Sequence, residues 1–509
     1  MSPSALVLVP VLAIVSSDGA TDVPLLSPAG WSAAEREGVL SLAPRPRRAW
    51  PDDAVDGGLI VGSSMPFAVT AGRKALEAGG SAVDAAIVTA FAQIVQTGGS
   101  WNSFAGIFEL LHFDAATGAV EVVNGGFVVP AGETDGATIP RSGPTGRSAL
   151  VPGFFPAVAE AHRRFGRIPW ASLFEPAIWL AEHGFRVDAG LAGTLAWRRP
   201  SLSRLAATRA IFTTDDGSWL EEGDLFRQPA LAATLRAIQR DGVRHVTTGP
   251  WAERFVAAVR AEGGTLSLDD LARYRPQTGA PLAVDYHGHR VHTLPPPEFG
   301  AVQLAEALAV LEVADLPRDR HSTASADVLF PLMQICRYGH VVSYTPDAYH
   351  PTERPRIFGQ MTPSERLAPA AARATWERIR RGDWEDALWH ELRARLVHSD
   401  TNVVVDVEGN VAVTLHSINS LMWGETGLFV DGISIPDSGA VQPHVVARVG
   451  PGARLPNLTN PCLVTKDGRA VLGAACIGSS LHENMVQALV DVLDHGMTPA
   501  ESASSQSPR

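Results

Sequence analysis

The sequence predicts an α+β fold, and three observations carry that expectation. Stretches alternating apolar and polar residues with period two stand near both ends of the chain. Helical stretches with apolar spacing of three and four fill the middle, and no internal repeat or low-complexity tract interrupts them. Strands this far apart in sequence are expected to close common sheets that helices cover. With 509 residues, 45% hydrophobic and 19% charged, the chain can bury a large core, which excludes disorder as its main state.

The organised part begins near Gly57, after the lead-in APRPRRAWPDD. LIVGSSMPFAVTAGRKALEAGGSAVDAAIVTAFAQIVQ reads as a strand, a turn and two helices split by Gly79-Gly80. The second helix is apolar on nearly every face, so it belongs between layers. FELLHFDAATGAVEVVNGGFVV alternates on both sides of an Ala-Thr-Gly turn, which is a hairpin. From 150 to 395 the stretches AVAEAHRRFG, SLFEPAIWLAEHG, LAATLRAIQRDG and AERFVAAVRAEGG each run to a Gly, as helix C-termini do. After 400 strands return, and HENMVQALVDVLDHG reads as the last helix.

Charge and cysteine usage exclude several functions. A net charge of -12 and a pI near 5.7 argue against nucleic acid as a partner, because phosphate contact needs clustered Lys and Arg in excess. The basic pieces RPRR at 45–48 and RIRR at 378–381 are short and read as solvated surface. Cys336, Cys462 and Cys476 are far apart without C-x-x-C spacing, so neither a disulfide framework nor a zinc site is indicated, and buried thiols are expected. ALVLVPVLAIV at 5–15 has the length of a signal-peptide apolar region, but no Lys or Arg precedes it and a proline interrupts it. A cytoplasmic location is therefore expected over a secreted one. No apolar run approaches the roughly 18 residues needed to span a bilayer, so no membrane partner is expected.

The stretch LVHSDTNVVVDVEGNVAVTLHSINS, 396–420, reads as two β-runs joined at Gly409-Asn410. If the turn centres on Glu408, residues whose numbers sum to 816 face one another, and Ser399 stands opposite Ser417. Ser399 and Thr401 share one face, so parity alone does not choose between them.

Several phrases, taken in order, resemble the gamma-glutamyltransferases among the N-terminal nucleophile hydrolases. They are GGSAVDAAIVTAFA, ALVPGFFPAVAEAHRRFGRIPWASLFEPAIWLAEHGF, GPWAERFVAAVRAEGGTLSLDDLARYRP, TLPPPEFGAVQ, VVVDVEGNVAVTLHSIN and DGRAVLGAACIGSS. The likeness runs over roughly 57–500. It implies a four-layer αββα sandwich without a cofactor or metal, made from one precursor that cuts its own backbone into two fragments that stay associated. The expected division is a lead-in at 1–56, a large-fragment segment at 57–398 and a small-fragment segment at 399–509, intertwined in one catalytic unit.

In this chemistry a hydroxyl attacks the carbonyl just before it, the backbone shifts to an ester, and water releases a new N-terminal residue. That residue's hydroxyl is then the nucleophile and its own α-amine the general base. An α-amine has an ordinary pKa of about 7.7–8.0, suited to a base near neutral pH. The family's Thr-Thr-His-x-Ser-Val-Val-Asp motif, laid without gaps on Val404-Val405-Asp406, puts the nucleophile at Ser399 and cleavage after His398. A slip of two residues makes Thr401 the nucleophile, and an unprocessed chain with a plain polar strand end is the third reading. Ser417 and Asn419 fall where the family carries a site Thr and Asn. Gly478 and Ser479 fall on its Gly-Gly oxyanion pair, ahead of the last helix.

Substrate recognition departs from the family. Gly126 stands where the family's Arg binds the glutamyl carboxylate, Asn457-Leu458 replace its Ser-Ser pair, and 435–440, IPDSGA, has lost the acidic pair of N-N-x-M-D-D. GSWNSFAGIF replaces a Gly-rich loop and introduces Trp101 and Phe104, and Trp423 takes a usual Phe or Tyr place. These aromatics are either core or the wall of a flatter, more apolar pocket. The expectation is an acylase-like hydrolase or acyltransferase acting on a small molecule of specialised metabolism. Related family members in the pathway to 4-alkylproline antibiotic units release an oxalyl group by C–C hydrolysis. A conventional gamma-glutamyl transferase, or an unprocessed homologue that serves as a binding protein, are the alternatives.

Overall fold

The computed structural model describes residues 26–40, 53–55, 58–62, 65–339, 361–382, 399–478 and 481–505. The apolar stretch at 5–15, RPRR at 45–48, His398 and Ser479 lie outside the described residues.

Eleven strands build two antiparallel sheets: β1 (Asp53–Val55), β2 (Gly58–Gly62), β3 (Ile107–Phe113), β4 (Val120–Asn124), β5 (Gln277–Gly279), β6 (Leu282–Tyr286), β7 (His289–Thr293), β8 (Ser399–Val405), β9 (Val411–Ser417), β10 (Cys462–Lys466) and β11 (Arg469–Ala474). The first sheet runs β1-β2-β8-β9-β3-β4-β5 and the second β11-β10-β7-β6. Each sheet mixes strands from before and after Ser399. The six helices that matter most here are α1 (Pro66–Glu77), α2 (Ala82–Gln96), α3 (Phe154–Phe165), α4 (Phe299–Ala314), α5 (Ala326–Gly339) and α6 (Leu481–Leu493).

Strand alternation sorts the core into layers. Phe108, Leu110, Val123, Val404 and Ala412 face α2 and its neighbours in the largest apolar cluster. Leu111, Val122, Val403 and Val413 point the other way and meet Leu463 of β10, forming the core between the sheets. The outer face of the second sheet, with Val284, Val291, Cys462 and Val464, packs on Leu304 and Leu308 of α4, Ile335 of α5 and Met485 of α6. Helix, sheet, sheet and helix thus stack as the expected αββα sandwich. The apolar α2 is buried along nearly its whole length, capped by Ser81 and Asp84 in a reciprocal box. The three cysteines are free, with Cys336 and Cys462 buried and Cys476 half-buried. No described helix is long and apolar enough to cross a membrane, and no described group of three or more His, Cys, Asp or Glu could hold a metal ion.

The β8–β9 hairpin has the register that its turn predicts. Ser399 pairs with Ser417, Thr401 with Leu415 and Val405 with Val411, so each pair sums to 816. Asp406 closes the turn, accepting from the backbone N–H groups of Glu408 and Asn410 at 3.1 and 3.0 Å, while Gly409 takes the left-handed φ of 85°. The other oxygen of Asp406 accepts from the Ala82 N–H at the start of α2, 3.2 Å away. That bond ties the hairpin to the buried helix.

Candidate active site

Ser399 is the first residue of β8 and is buried, its hydroxyl donating to Ser417 Oγ at 2.9 Å. Ser417 Oγ also accepts from the Asn419 N–H at 3.0 Å, across a tight turn in which Asn419 has φ 47°. The Asn419 Nδ2 amide is buried and has no partner among the described residues. Two hydroxyls and an unused amide donor therefore gather at one strand end. Thr401, on the same face, donates its hydroxyl to the Thr414 carbonyl at 2.6 Å and is held inside the ladder. Of the two candidate nucleophiles, only Ser399 keeps its hydroxyl among other side-chain groups.

The opposite face anchors this strand end. Asp400 is buried and its Oδ2 accepts from the Trp101 indole N–H at 3.0 Å and from the Asn102 amide. His416, opposite Asp400 in the ladder, is fully buried with both ring nitrogens unpartnered among the described residues. Burial alone pushes its pKa down to about 3, so it stays neutral. The loop before β3 packs tightly here: a Cβ on Gly106 would fall 2.3 Å from the Ser417 carbonyl oxygen, so only glycine fits.

The aromatics read as either core or pocket wall pack into this scaffold. Trp423 is fully buried, packs edge-on against Phe212 with centroids 5.2 Å apart, and gives its indole N–H to the Gly98 carbonyl at 2.8 Å. Phe104 stacks on Phe155 at 5.3 Å in the same cluster. Trp101 packs against that cluster and holds Asp400 on the helix side of the sheet, away from the face that carries Ser399. Trp423 and Phe104 are buried in the core, and Trp101 anchors Asp400.

Gly126 and Asn457, distant in sequence, meet through two buried acids. Glu298 at the start of α4 accepts from Asn124 Nδ2 at 2.7 Å and from the Asn457 N–H at 2.8 Å. Asn124 Oδ1 accepts from the Gly126 N–H at 2.8 Å. Asn457 Nδ2 and the Thr459 hydroxyl both reach Glu109 Oε1 at 2.8 Å. Glu109 lies on β3 opposite Leu415, hence on the same sheet face as Ser399 and Ser417 and diagonal to Ser417. Burial raises both carboxyls above the ordinary range, with Glu298 adding repulsion at Glu109. Arg454 completes the cluster, its guanidinium donating to the Gly126 carbonyl at 2.9 Å, the Tyr274 hydroxyl at 3.1 Å and the Arg275 carbonyl at 2.7 Å.

A self-facing hydroxyl pair at the head of a strand, between two sheets of an αββα sandwich, fits the comparisons with known proteins. The gamma-glutamyltranspeptidase family model matches residues 68–508. The chain belongs to the gamma-glutamyltranspeptidase family. Among curated relatives it is 27% identical to the acylase ACY 1 proenzyme of Pseudomonas sp. (strain SE83), over 88% of this chain and 81% of that protein. It is 23% identical to the glutathione hydrolase proenzyme of Escherichia coli (strain K12), over 88% and 80%. The solved cephalosporin acylase of Bacillus halodurans superposes with a TM-score of 0.73 at 23% identity, covering 91% of this chain and 86% of that one, a likeness of fold. The chain is thus an enzyme of the gamma-glutamyltranspeptidase family with the N-terminal nucleophile hydrolase fold.

Against the gamma-glutamyltranspeptidase pattern, Gly478 sits at φ 92° in the half-buried loop between β11 and α6, and Ser479 beside it lies outside the described residues. The 435–440 segment packs beside the site: Ser438 donates to the Ile418 carbonyl at 2.5 Å. Asp437 is buried there, accepting from the Glu425 N–H at 2.7 Å, and burial raises its pKa. Sequence reasoning passed over Glu109, Glu298, Arg454 and Asp400. A signal existed for one of them: Glu109 is the lone acid at an inward position of the alternating run IFELLHF.

Proposed function

We propose that this gamma-glutamyltranspeptidase-family enzyme is a self-processing acyl hydrolase or acyltransferase with Ser399 as nucleophile, acting on a small acyl compound other than a γ-glutamyl amino acid. The observation that carries the reading is the Ser399–Ser417 hydroxyl pair, 2.9 Å apart at the head of β8, with Asn419 beside it. In the precursor, Ser399 Oγ attacks the carbonyl carbon of residue 398. The peptide nitrogen leaves as the Ser399 amine, and water then hydrolyses the resulting ester. In turnover the freed amine takes the hydroxyl proton as Oγ attacks the substrate carbonyl, and passes it to the leaving group. Water, deprotonated by the same amine, releases the acyl group. Backbone N–H groups of the Gly478-Ser479 loop are assigned to the oxyanion. The proenzyme names of the relatives support processing, and an acylase among them supports an acyl substrate.

The altered recognition wall supports a substrate without a glutamyl head. A carboxylate placed at Gly126 would meet Glu298, whose Oε1 stands 3.2 Å from a Cβ built there, while both N–H groups of the nearby Arg454 Nη1 already serve the Gly126 carbonyl and the Tyr274 hydroxyl. Amide hydrolysis and oxalyl-releasing C–C hydrolysis both begin with attack on a carbonyl, and an acyl-enzyme at Ser399 serves either.

Denaturing electrophoresis tests the proposal. Purified protein should give fragments of 398 and 111 residues, the smaller beginning Ser-Asp-Thr, and Ser399→Ala should stay whole and inactive. A chain that remains full-length, with activity indifferent to Ser399→Ala, refutes it. Turnover of γ-glutamyl-p-nitroanilide at a rate matching its best acyl substrate would refute the altered specificity.

A further inference from the structure

We propose that Glu109 and Glu298 retain one proton between two mutually repelling buried carboxyls, with the proton on Glu109 Oε2 and the charge on Glu298, and that this pair positions the wall beside Ser399 and Ser417. The assignment follows from donors and acceptors. Glu298 Oε2 faces the backbone N–H of Asn457 at 2.8 Å, which can only donate. Glu298 Oε1 faces Asn124 Nδ2 at 2.7 Å, and that amide cannot be turned because its Oδ1 accepts from the Gly126 N–H. Both oxygens of Glu298 are thus acceptors, and a proton on either would confront another donor. Glu109 differs. Its Oε1 faces Asn457 Nδ2, whose orientation is set by the Thr459 N–H on Asn457 Oδ1 at 2.9 Å. Its Oε2 is buried without a partner among the described residues, and is the one oxygen of the four free to carry hydrogen.

The pair lies where geometry matters. Glu109 neighbours Ile107 on the inward face of β3, and Ile107 is opposite Ser417. Ile107 packs with Phe127 and Leu455, which flank the Gly126 and Asn457 segments. Diagonal cross-strand neighbours stand about 7–8 Å apart, their Cβ atoms somewhat closer, which sets the scale between Glu109 and Ser417. Glu298 holds the 124–126 and 457–459 segments together, and Glu109 fastens the second of them to β3. The charged and titratable groups facing the pair from the packed elements are Arg454, which favours the ionised forms, and Tyr274, itself held neutral by burial. Two fully buried carboxylates beside one partly exposed guanidinium favour keeping one proton. The pairing itself does not depend on how Ser399 is used; its effect on turnover rests on the function proposed above.

Glu109→Gln tests it, because the amide reproduces a protonated acid with its hydrogen fixed at the Oε2 side. The full-length chain is followed by infrared spectroscopy in the protonated-carboxyl C=O region at about pH 7, and by thermal unfolding from about pH 7 to pH 9, above the range in which the buried histidines titrate. The wild type should show a protonated-carboxyl band that Glu109→Gln removes, with any band from Asp437 unchanged. Its thermal midpoint should fall as pH rises, a fall that Glu109→Gln flattens, while the variant folds as well as wild type at about pH 7. Glu298→Gln, which sets an amide donor against Asn124 or Asn457, should be the damaging substitution. A band that survives Glu109→Gln, equal pH slopes in both proteins, or a Glu109→Gln chain that fails to fold each overturns the assignment. None of these readouts needs a substrate, so they can fail while Ser399 still processes the chain.

Discussion

Ser399 and Ser417 form the first pair of the β8–β9 ladder, and the hydroxyl of one is hydrogen-bonded to the hydroxyl of the other at 2.9 Å. The same Ser417 oxygen receives the Asn419 N–H. One buried hydroxyl thereby orients the nucleophile proposed for this enzyme and closes the turn that carries Asn419. Ser417→Ala leaves both donors without their acceptor, and an unsatisfied buried group costs about 1–3 kcal/mol. Self-cleavage should slow by about ten- to a hundredfold, measured as the appearance of the 111-residue fragment over time, and Ser417→Thr should recover part of the rate. Cleavage of Ser417→Ala at wild-type speed would show that the pair is only structural.

Trp101 separates an anchor from a substrate contact. Its indole N–H reaches Asp400 Oδ2 at 3.0 Å on the helix side of the sheet. Hydrogen bonds to charged groups contribute about 1.5–3 kcal/mol, so Trp101→Phe should lower stability by about 2 kcal/mol in a denaturant titration. The processed enzyme that remains folded should keep KM within about threefold. A large rise in KM with unchanged stability would return Trp101 to the pocket.

Much of this arrangement was legible in the sequence, and the reasons differ by residue. The Ser399–Ser417 facing could be read because a short turn with an Asp and a Gly fixes the register, and period two then fixes every pair. The buried α2 could be read from its all-round apolar surface. Trp101 and Trp423 could not be oriented, since they stand in loops where no periodicity says which way a side chain faces. Glu109 and Glu298 were hidden for another reason. Each is a single acid in an apolar or proline-rich run, and its meaning comes from Asn124, Asn457 and Thr459, brought from distant segments by the sheet order. Arg454 was invisible for the same cause: it stands beside Gly126 only in three dimensions.

His416 gives the fold an acid-side weakness. The ring is buried and neutral, its pKa lowered by desolvation to about 3, while in the unfolded chain it titrates at about 6.5. Below about pH 6.5 the unfolded state binds a proton that the folded state refuses, so stability is present above that pH and is lost as pH falls towards 3. Each such group contributes up to about 1.4 kcal/mol per pH unit in this window. His292 is shifted the same way, down to about 4 by burial, with Arg290 adding to it. His416→Leu should therefore reduce the acid slope by about one proton's worth without abolishing it, in denaturant titrations between about pH 6.5 and 4. An unchanged slope would mean that water reaches the ring.

Gly126 is the sharpest test of what the altered wall recognises. The family resemblance puts the carboxylate-binding arginine at this position, so on the proposed reading Gly126→Arg is the simplest attempt to restore γ-glutamyl turnover. The surroundings oppose it. A Cβ at Gly126 would already stand 3.2 Å from Asn124 Oδ1, 3.2 Å from Glu298 Oε1 and 3.4 Å from Arg454 Nη1. A full arginine would place a second guanidinium beside Arg454 and would pair with Glu298 instead of a substrate carboxylate. Overfilling a packed site costs about 1–3 kcal/mol, so the variant should lose stability by that amount in a denaturant titration. It should show no gain in hydrolysis of γ-glutamyl-p-nitroanilide, because Glu298 remains to neutralise the new charge. If that single replacement produced γ-glutamyl turnover, the acids would have to lie clear of the acyl pocket, and the case for a non-glutamyl substrate would fall with them.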